Sequence, residues 1–269
     1  MNKPDLNQSE MSAINRAAWN TGAYEAWLVE SGPPEAVAAS IKRDPALTLK
    51  RVLRHLGDLN GKRAVNPLGS RGKVAVALAL LGVDVTVVDI SESNARYARE
   101  LALAADVNLE YIVTDFMAFQ PKTDGLKSDG PHAGFDLVLM ELGILHYFMD
   151  LHDLAKQIHA MLKPGSRFVV NDFHPICSKL LTKLEDEQSG VQVVADRDYF
   201  DASPHPGTVP YQPFTEIQAP ASLTRVWQLG EIVTAFAQNG FRIETLEETP
   251  GWGFPDHVPG LFTLVATRA

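Results

Sequence analysis

Between Gly61 and Ser91 the spacing of apolar positions changes from strand to helix and back to strand. Arg63 to Asn66 predicts a short strand that runs into the turn Pro67-Leu68-Gly69-Ser70-Arg71-Gly72. Val74, Ala75, Ala77, Leu78 and Leu81 then recur at helical spacing, and Gly82 offers the left-handed helix end. Val83, Val85, Val87 and Val88 form a β-branched run with only Asp84 and Thr86 between them, as expected of a buried parallel strand. Asp89 closes that run, and Ser91 is placed to cap the next helix. Strand, turn, helix and acid-terminated strand make a nucleotide-binding half-unit: the turn presents backbone N–H groups and the acid suits a ribose diol.

The alternation continues downstream. Ser91–Ala105 reads as a helix, Asn108–Val113 as a third strand and Phe135–Met140 as a fourth. Leu151–Leu162 reads as a helix stopped by Lys163-Pro164-Gly165, and Ser166–Val170 as a fifth strand. Residues 121–134 are polar and glycine-rich and predict a connection. Leu229–Asn239 predicts a helix; Phe241–Glu247 and Leu261–Thr267 predict two more strands. Strands alternating with helices imply an α/β domain, a mostly parallel sheet with helices on both faces. Ahead of it, residues 1–60 read as a helical N-terminal cap with candidates at Met11–Trp19, Tyr24–Glu30, Pro34–Ile41 and Pro45–Leu59. The last is the strongest, with Leu47, Leu49, Val52, Leu53 and Leu56 read as one stripe. Trp19, Tyr24 and Trp27 either staple this arm to the domain or cap a ligand. The domain proper is residues 61–269, with an insertion or lid near 183–226: Val191–Phe200 has strand character, and 201–222 hold five prolines.

Composition narrows the function. The chain has 269 residues, 45% hydrophobic and 21% charged, with a net charge of −9. That balance argues against a nucleic-acid or anionic-membrane partner, which would want a basic face. Cys177 is the one cysteine, so no internal disulfide and no cysteine metal site is expected. The longest apolar run, Val74 to Val83, falls short of the ~20 residues of a membrane helix, and the polar start shows no signal peptide. A cytoplasmic protein is the expectation.

Ligands of an open parallel sheet sit beyond the carboxyl ends of its strands. Here those ends carry Asn66 and Gly69, then Asp89, then Asp115-Phe116, then Glu141 to His146, then Asp172 to His174. A lone strand-end acid is usually a helix cap; four of them, with Phe116 beside Asp115, suit a polar site around a nucleoside. In order and spacing these residues resemble the class I S-adenosylmethionine-dependent methyltransferases, over roughly residues 61–175 and plausibly the C-terminal helix and strands. The resemblance implies a Rossmann-like, mostly parallel seven-stranded sheet with an antiparallel C-terminal strand, and S-adenosyl-L-methionine as cofactor. It places Asn66, Leu68, Gly69, Ser70 and Gly72 at the methionine part and Asp89 at the ribose, with Ile90 and Asn94 also among the cofactor-binding residues. It places Asp115 and Phe116 around the adenine, and Glu141, Leu142 and Gly143 along the cofactor. The turn departs from the family's Asp/Glu-x-Gly-x-Gly-x-Gly: Asn66 replaces the leading acid, and Leu68 and Ser70 stand where glycines are usual. An amide still accepts from an ammonium, without the extra strength of an ionised partner.

Methyl transfer is mostly positioning, helped by a base when the acceptor carries a proton. His146 and His174 are the candidate bases and Asp172 a candidate orienter of His174; a metal held by the three is the lesser alternative. Tyr147, Phe148, Tyr199, Phe200, Tyr211, Phe214, Trp227 and Trp252 are candidates to line an acceptor pocket, which points to a small, partly apolar molecule. The expected function is therefore methyl transfer to a small molecule. The alternatives are an NAD(P)-dependent oxidoreductase, for which the turn supplies only Gly69 and Gly72, and a non-catalytic cofactor-binding homologue.

Overall fold

The computed structural model describes residues 6–121, 134–186 and 190–269. The predicted connection 121–134 therefore lies almost wholly outside the described residues. Seven strands form one sheet in the order β3-β2-β1-β4-β5-β11-β10. They are β1 (Arg63–Pro67), β2 (Asp84–Asp89), β3 (Glu110–Val113), β4 (Phe135–Glu141), β5 (Leu162–Phe173), β10 (Phe241–Pro250) and β11 (Pro259–Arg268). All neighbours pair in parallel except β11, which runs antiparallel to both β5 and β10. The expected seven-stranded sheet with its antiparallel C-terminal strand is thus present.

Side chains of successive strand residues go to opposite faces, and two cores result. Ala64, Val85, Val87, Leu137, Leu139 and Val169 pack with α1 (Gln8–Asn20), α2 (Ala23–Glu30), α3 (Pro34–Arg43), α6 (Lys73–Leu80) and α7 (Glu92–Ala105). Val65, Val88, Val138, Met140, Phe168 and Val170 pack with α8 (Leu151–Met161) and α9 (Leu229–Gln238) on the other face. Ser91 caps α7 as expected, its hydroxyl accepting from Asn94 N–H at 3.1 Å.

Three expectations change. Pro45–Leu59 is two single turns, α4 (Pro45–Thr48) and α5 (Leu53–Leu56), rather than one helix. Leu47 and Leu49 are two apart and cannot share a helix face; Leu47 is exposed while Leu49 and Val52 are fully buried. β5 starts at Leu162, so Lys163-Pro164-Gly165 interrupts a strand instead of preceding one, and the β4 register shifts there. The 183–226 region builds two small antiparallel ribbons, β6 (Leu181–Asp186) with β7 (Gly190–Ala195) and β8 (His205–Gly207) with β9 (Ser222–Thr224).

The arm and the second ribbon hold each other. Asn15 exchanges two hydrogen bonds with the backbone of Leu223, at 2.9 and 2.8 Å. The Tyr211 hydroxyl donates towards Ala18 O at 2.6 Å and Thr21 O at 2.9 Å, and its buried ring lies 5.4 Å from both Trp19 and Trp27. Among the described residues no helix is long and apolar enough to cross a membrane.

Tyr211→Phe removes that donor from the carbonyls of buried Ala18 and half-buried Thr21. We expect a loss of about 1–3 kcal/mol in chemical denaturation, with earlier proteolysis of α1 than in the wild type; an unchanged arm would show that Tyr211 does not tie it down.

Candidate functional site

The chain leaves β1 towards β2 and leaves β4 towards β5, so the carboxyl ends of β1 and β4 diverge. A cavity of about 830 Å³ opens at this switch point. Its floor takes Asn66, Leu68, Gly69, Ser70, Asp89 and Ile90 from one side. Asp115 and Phe116, beyond β3, extend that side; Glu141, Leu142, Gly143 and His146, beyond β4, form the other. Its roof takes Gln8, Ser12, Asn15 and Trp19 of α1, with Thr208, Pro210 and Phe214 of the second ribbon's loop.

The turn after β1 keeps a glycine-like shape without the usual glycines. Leu68 has φ +51° and Ser70 φ +50°, left-handed values that cost a side-chain-bearing residue on the order of 1 kcal/mol each. The surroundings over-determine them: Leu68 N–H donates to Val88 O at 2.7 Å, Ser70 N–H to Asp89 Oδ2 at 2.9 Å, and Tyr111 Oη–H to Ser70 O at 2.8 Å. Gly69 is required for a different reason, close approach. A Cβ there would stand 2.5 Å from Asn66 Oδ1 and 2.8 Å from Val87 Cγ1.

Asp89 lines the cavity but also holds this turn. Besides Ser70, it accepts from Ser91 N–H at 2.9 Å, with Asn94 Nδ2 at 3.5 Å. Burial raises its carboxyl pKa, and these N–H bonds pull it back. Asn94, expected to bind the cofactor, instead lies buried behind Asp89 and accepts from Trp27 Nε1–H at 2.8 Å. Gly72 likewise lies outside the cavity wall; it begins α6 at φ +79° with Ala98 packed against it.

The loop after β4 is held in the same way from the next strand. Asp172 Oδ1 accepts from Gly143 N–H at 2.6 Å and Phe173 N–H at 2.7 Å; Oδ2 accepts from Ile144 N–H at 3.0 Å and Leu145 N–H at 2.9 Å. Asp172 therefore does not orient His174 and does not face the cavity. His174 is also displaced from its expected role as a base. It is buried, its Nδ1 accepts from Ile176 N–H at 3.1 Å and its Nε2 pairs with Glu248 at 2.6 Å, so no lone pair is left for a substrate proton. With Asp172 and His174 so engaged, the three-residue metal alternative does not assemble, and no other metal-binding group occurs among the described residues.

His146 does reach the cavity. Its ring meets Tyr147 edge-on at 4.3 Å, and neither nitrogen has a hydrogen-bond partner among the described residues. Burial lowers its pKa, against the opposing charge of Asp172.

Two acceptors beside it lack partners. Asn66 donates from Nδ2 to Leu139 O at 2.8 Å, leaving buried Oδ1 unpaired. Glu141, with a side chain only 6% exposed, touches Arg51 Nη1 through Oε1 at 3.5 Å and leaves Oε2 unpaired. Burial raises the Glu141 pKa, with Arg51 pulling it down. Arg51 escapes sequence reading because it sits in the irregular turn where a helix is predicted. Among the aromatic candidates, Tyr147, Phe148, Phe214 and Trp252 line the cavity. Tyr211 packs the arm, Trp227 donates to Leu145 O at 3.0 Å, the Tyr199 hydroxyl accepts from Leu229 N–H at 3.2 Å, and Phe200 is exposed.

Residues 69–165 match a family model described as a methyltransferase domain. Over 148 residues the chain is 28% identical to a 27-O-demethylrifamycin SV methyltransferase of Amycolatopsis mediterranei. The match covers 53% of this chain and 52% of the relative, so it spans about half the length of each. The fold is that of a crystal structure of an S-adenosylmethionine-dependent methyltransferase from Mesorhizobium loti, with TM-score 0.60 and 23% identity over 82% of this chain and 98% of the other. It is also that of the magnesium protoporphyrin IX methyltransferase of Synechocystis with bound cofactor, with TM-score 0.56 and 14% identity over 99% and 100% of the two chains.

Asp172→Asn replaces one of two acceptor oxygens with a donor facing backbone N–H groups. We expect a loss of about 3 kcal/mol in denaturant melts, and faster amide exchange at Gly143 to Leu145. Protection at those amides unchanged from the wild type would show that the carboxylate does not hold the loop.

Proposed function

We propose that this chain transfers a methyl group from S-adenosylmethionine to a small-molecule acceptor, since residues 69–165 match a methyltransferase-domain model and the fold is shared with an S-adenosylmethionine-dependent methyltransferase. One observation carries the reading: the unpaired, buried Asn66 Oδ1 and Glu141 Oε2 at adjacent strand ends of one cavity. An unsatisfied buried acceptor costs about 1–3 kcal/mol. The α-ammonium of the cofactor supplies the N–H donors both atoms lack, and Glu141 adds a charge-assisted bond that offsets the missing acid at position 66. Arg51 beside Glu141 suits the adjoining carboxylate.

The other end of the cavity fits as well. A carboxylate has about four acceptor sites, and Ser70, Ser91, Ile90 and Asn94 share those of Asp89; a ribose hydroxyl there takes the place of the longest contact, Asn94 Nδ2 at 3.5 Å. Asp115 caps a short 3₁₀ turn through Met117 N–H at 2.9 Å, and Phe116 and Phe148, 6.3 Å apart, give an apolar wall for a purine. When bound, the cofactor supplies an electrophilic methyl on a sulfonium. The chain's own part is to fix the two reactants, exclude water beneath α1 and the ribbon, and take the acceptor's proton on a ring nitrogen of His146. The methyltransferase matches favour this over a dinucleotide-dependent oxidoreductase or a non-catalytic binder.

Thermal shift distinguishes these readings, since a ligand of the native state raises its melting temperature. S-adenosylhomocysteine should stabilise the protein and NAD and NADP should not; stabilisation by NAD alone overturns the proposal. Glu141→Gln should weaken S-adenosylhomocysteine binding about tenfold or more by calorimetry. His146→Ala should leave that affinity unchanged and lower kcat by about 10²–10⁴. A lowered pKa keeps His146 neutral to lower pH, so the acid limb of kcat/KM should fall below pH ~6.5.

A further inference from the structure

The loop that carries His146 changes its support at that residue. Before it, the loop hangs from the sheet: Leu142 N–H donates to Asn171 O at 2.8 Å, and the N–H groups of Gly143, Ile144 and Leu145 donate to Asp172. Leu145 marks the divide, because its carbonyl already accepts from Trp227. From His146 onward the long-range bonds go to α1 and to the segment leaving β9. His146 O accepts from Arg225 N–H at 2.8 Å, and Met149 O from the Arg225 guanidinium at 2.6 Å. Tyr147 O accepts from Gln8 Nε2–H at 3.1 Å, and Met149 N–H donates to Gln8 Oε1 at 2.8 Å.

These two supports are anchored differently. The segment after β9 is pinned from beneath by Lys179, a buried ammonium that donates to Val226 O at 3.0 Å and to Asp201 O. Arg225 itself lies 3.6 Å over the Trp227 ring and pairs with Glu231 at 3.3 Å. Helix α1 is instead a beam of 13 residues, about 20 Å long. Its C-terminal end is tied to the start of α7: Asn20 Oδ1 accepts from Glu92 N–H at 2.8 Å, and Ser91 Oγ–H donates to Trp19 O at 2.7 Å. Asn15 fastens its middle to Leu223. At its first turn, among the described residues, the side-chain bonds to the rest of the chain are those of Gln8. The second N–H of that amide goes to Ser12 Oγ at 3.1 Å. Gln8 therefore lines the cavity with no donor left for a ligand.

We propose that Gln8 is a positioning residue for His146: seating α1 over the chamber fixes the second half of the loop, so the base is set in the act of covering the site. This rests on the methyltransferase reading, in which His146 takes the acceptor's proton. Methyl transfer gains from joining the two events, since the sulfonium methyl needs water kept out and the acceptor needs a fixed proton acceptor. The coupling is reciprocal: whatever seats α1 orders residues 146–149, and whatever orders them holds α1 down.

The full chain, carrying isotope-labelled histidine and saturated with S-adenosylhomocysteine, tests this without a methyl acceptor. The His146 ring signal is identified by its loss in His146→Gln. Gln8→Met keeps the side chain's length and removes both bonds to the loop. It should broaden or split the His146 signal and speed amide exchange at Met149 about tenfold. Exchange at Gly143 to Leu145, held by Asp172, should change by less than about threefold. Gln8→Glu keeps an acceptor for Met149 N–H and should restore most of the protection there. A His146 signal indifferent to Gln8→Met overturns the inference. So does equal acceleration in both halves of the loop, which would make Gln8 a general stabiliser only. The same comparison on the protein without S-adenosylhomocysteine separates the two readings. If Gln8→Met disturbs His146 but S-adenosylhomocysteine fails to stabilise the wild type, the methyltransferase assignment alone is wrong. If S-adenosylhomocysteine stabilises and His146 ignores Gln8, only the positioning role is wrong.

Discussion

The site depends on a single kind of bond, a buried carboxylate collecting backbone N–H groups from a loop on the neighbouring strand. Asp172 on β5 gathers four, three of them from the loop that follows β4. Asp89 on β2 takes one, from Ser70, in the turn that follows β1, and another from Ser91 just past its own strand. Each acid needs those donors because burial strips away its water, and each loop needs an acceptor because its amides lie outside any ladder. The strand order makes the arrangement possible. β1 and β4 lie side by side at the switch point, and β2 and β5 flank them, so each ligand-facing loop is held from one strand further out.

This division of labour explains how much of the site could be read from the chain. The strand-end carboxylates were visible as residues, and the sheet that presents them follows from alternating periods. What a linear reading does not reveal is which oxygens are already taken. Asp172 and His174 look as available as His146 until the partners on Gly143, Ile176 and Glu248 are in view. Arg51 was illegible for another reason: an apolar stripe through Leu47 and Leu49 implies a helix that the two cannot jointly satisfy, and the residue sits where that helix breaks. Trp252 reads only as one of several candidate pocket aromatics, because its neighbours Phe173 and Arg51 arrive from distant parts of the chain.

The altered turn after β1 also becomes intelligible. Glycine at the second and fourth positions of that turn would relieve the left-handed torsions now borne by Leu68 and Ser70. The chain keeps its glycine at position 69, where packing against Asn66 and Val87 leaves no room for a Cβ. Backbone shape is held by tertiary bonds, and space is provided by composition. A turn built this way is stiffer than a glycine-rich one, which favours a preformed cradle over one that closes on its ligand.

The antiparallel seat of β11 has a bearing on synthesis. Val170 of β5 pairs with Leu264, and Phe168 with Ala266, so one edge of β5 stays open while the long segment between them leaves the ribosome. During that interval a strand of buried apolar residues presents unpaired N–H and C=O groups, the configuration that recruits other strands. The α1 roof waits as well, since Asn15 closes onto Leu223 across most of the chain. Early helices and the first parallel strands can assemble in order, but the binding chamber is roofed and the sheet sealed only by contacts of high sequence separation, which form slowly.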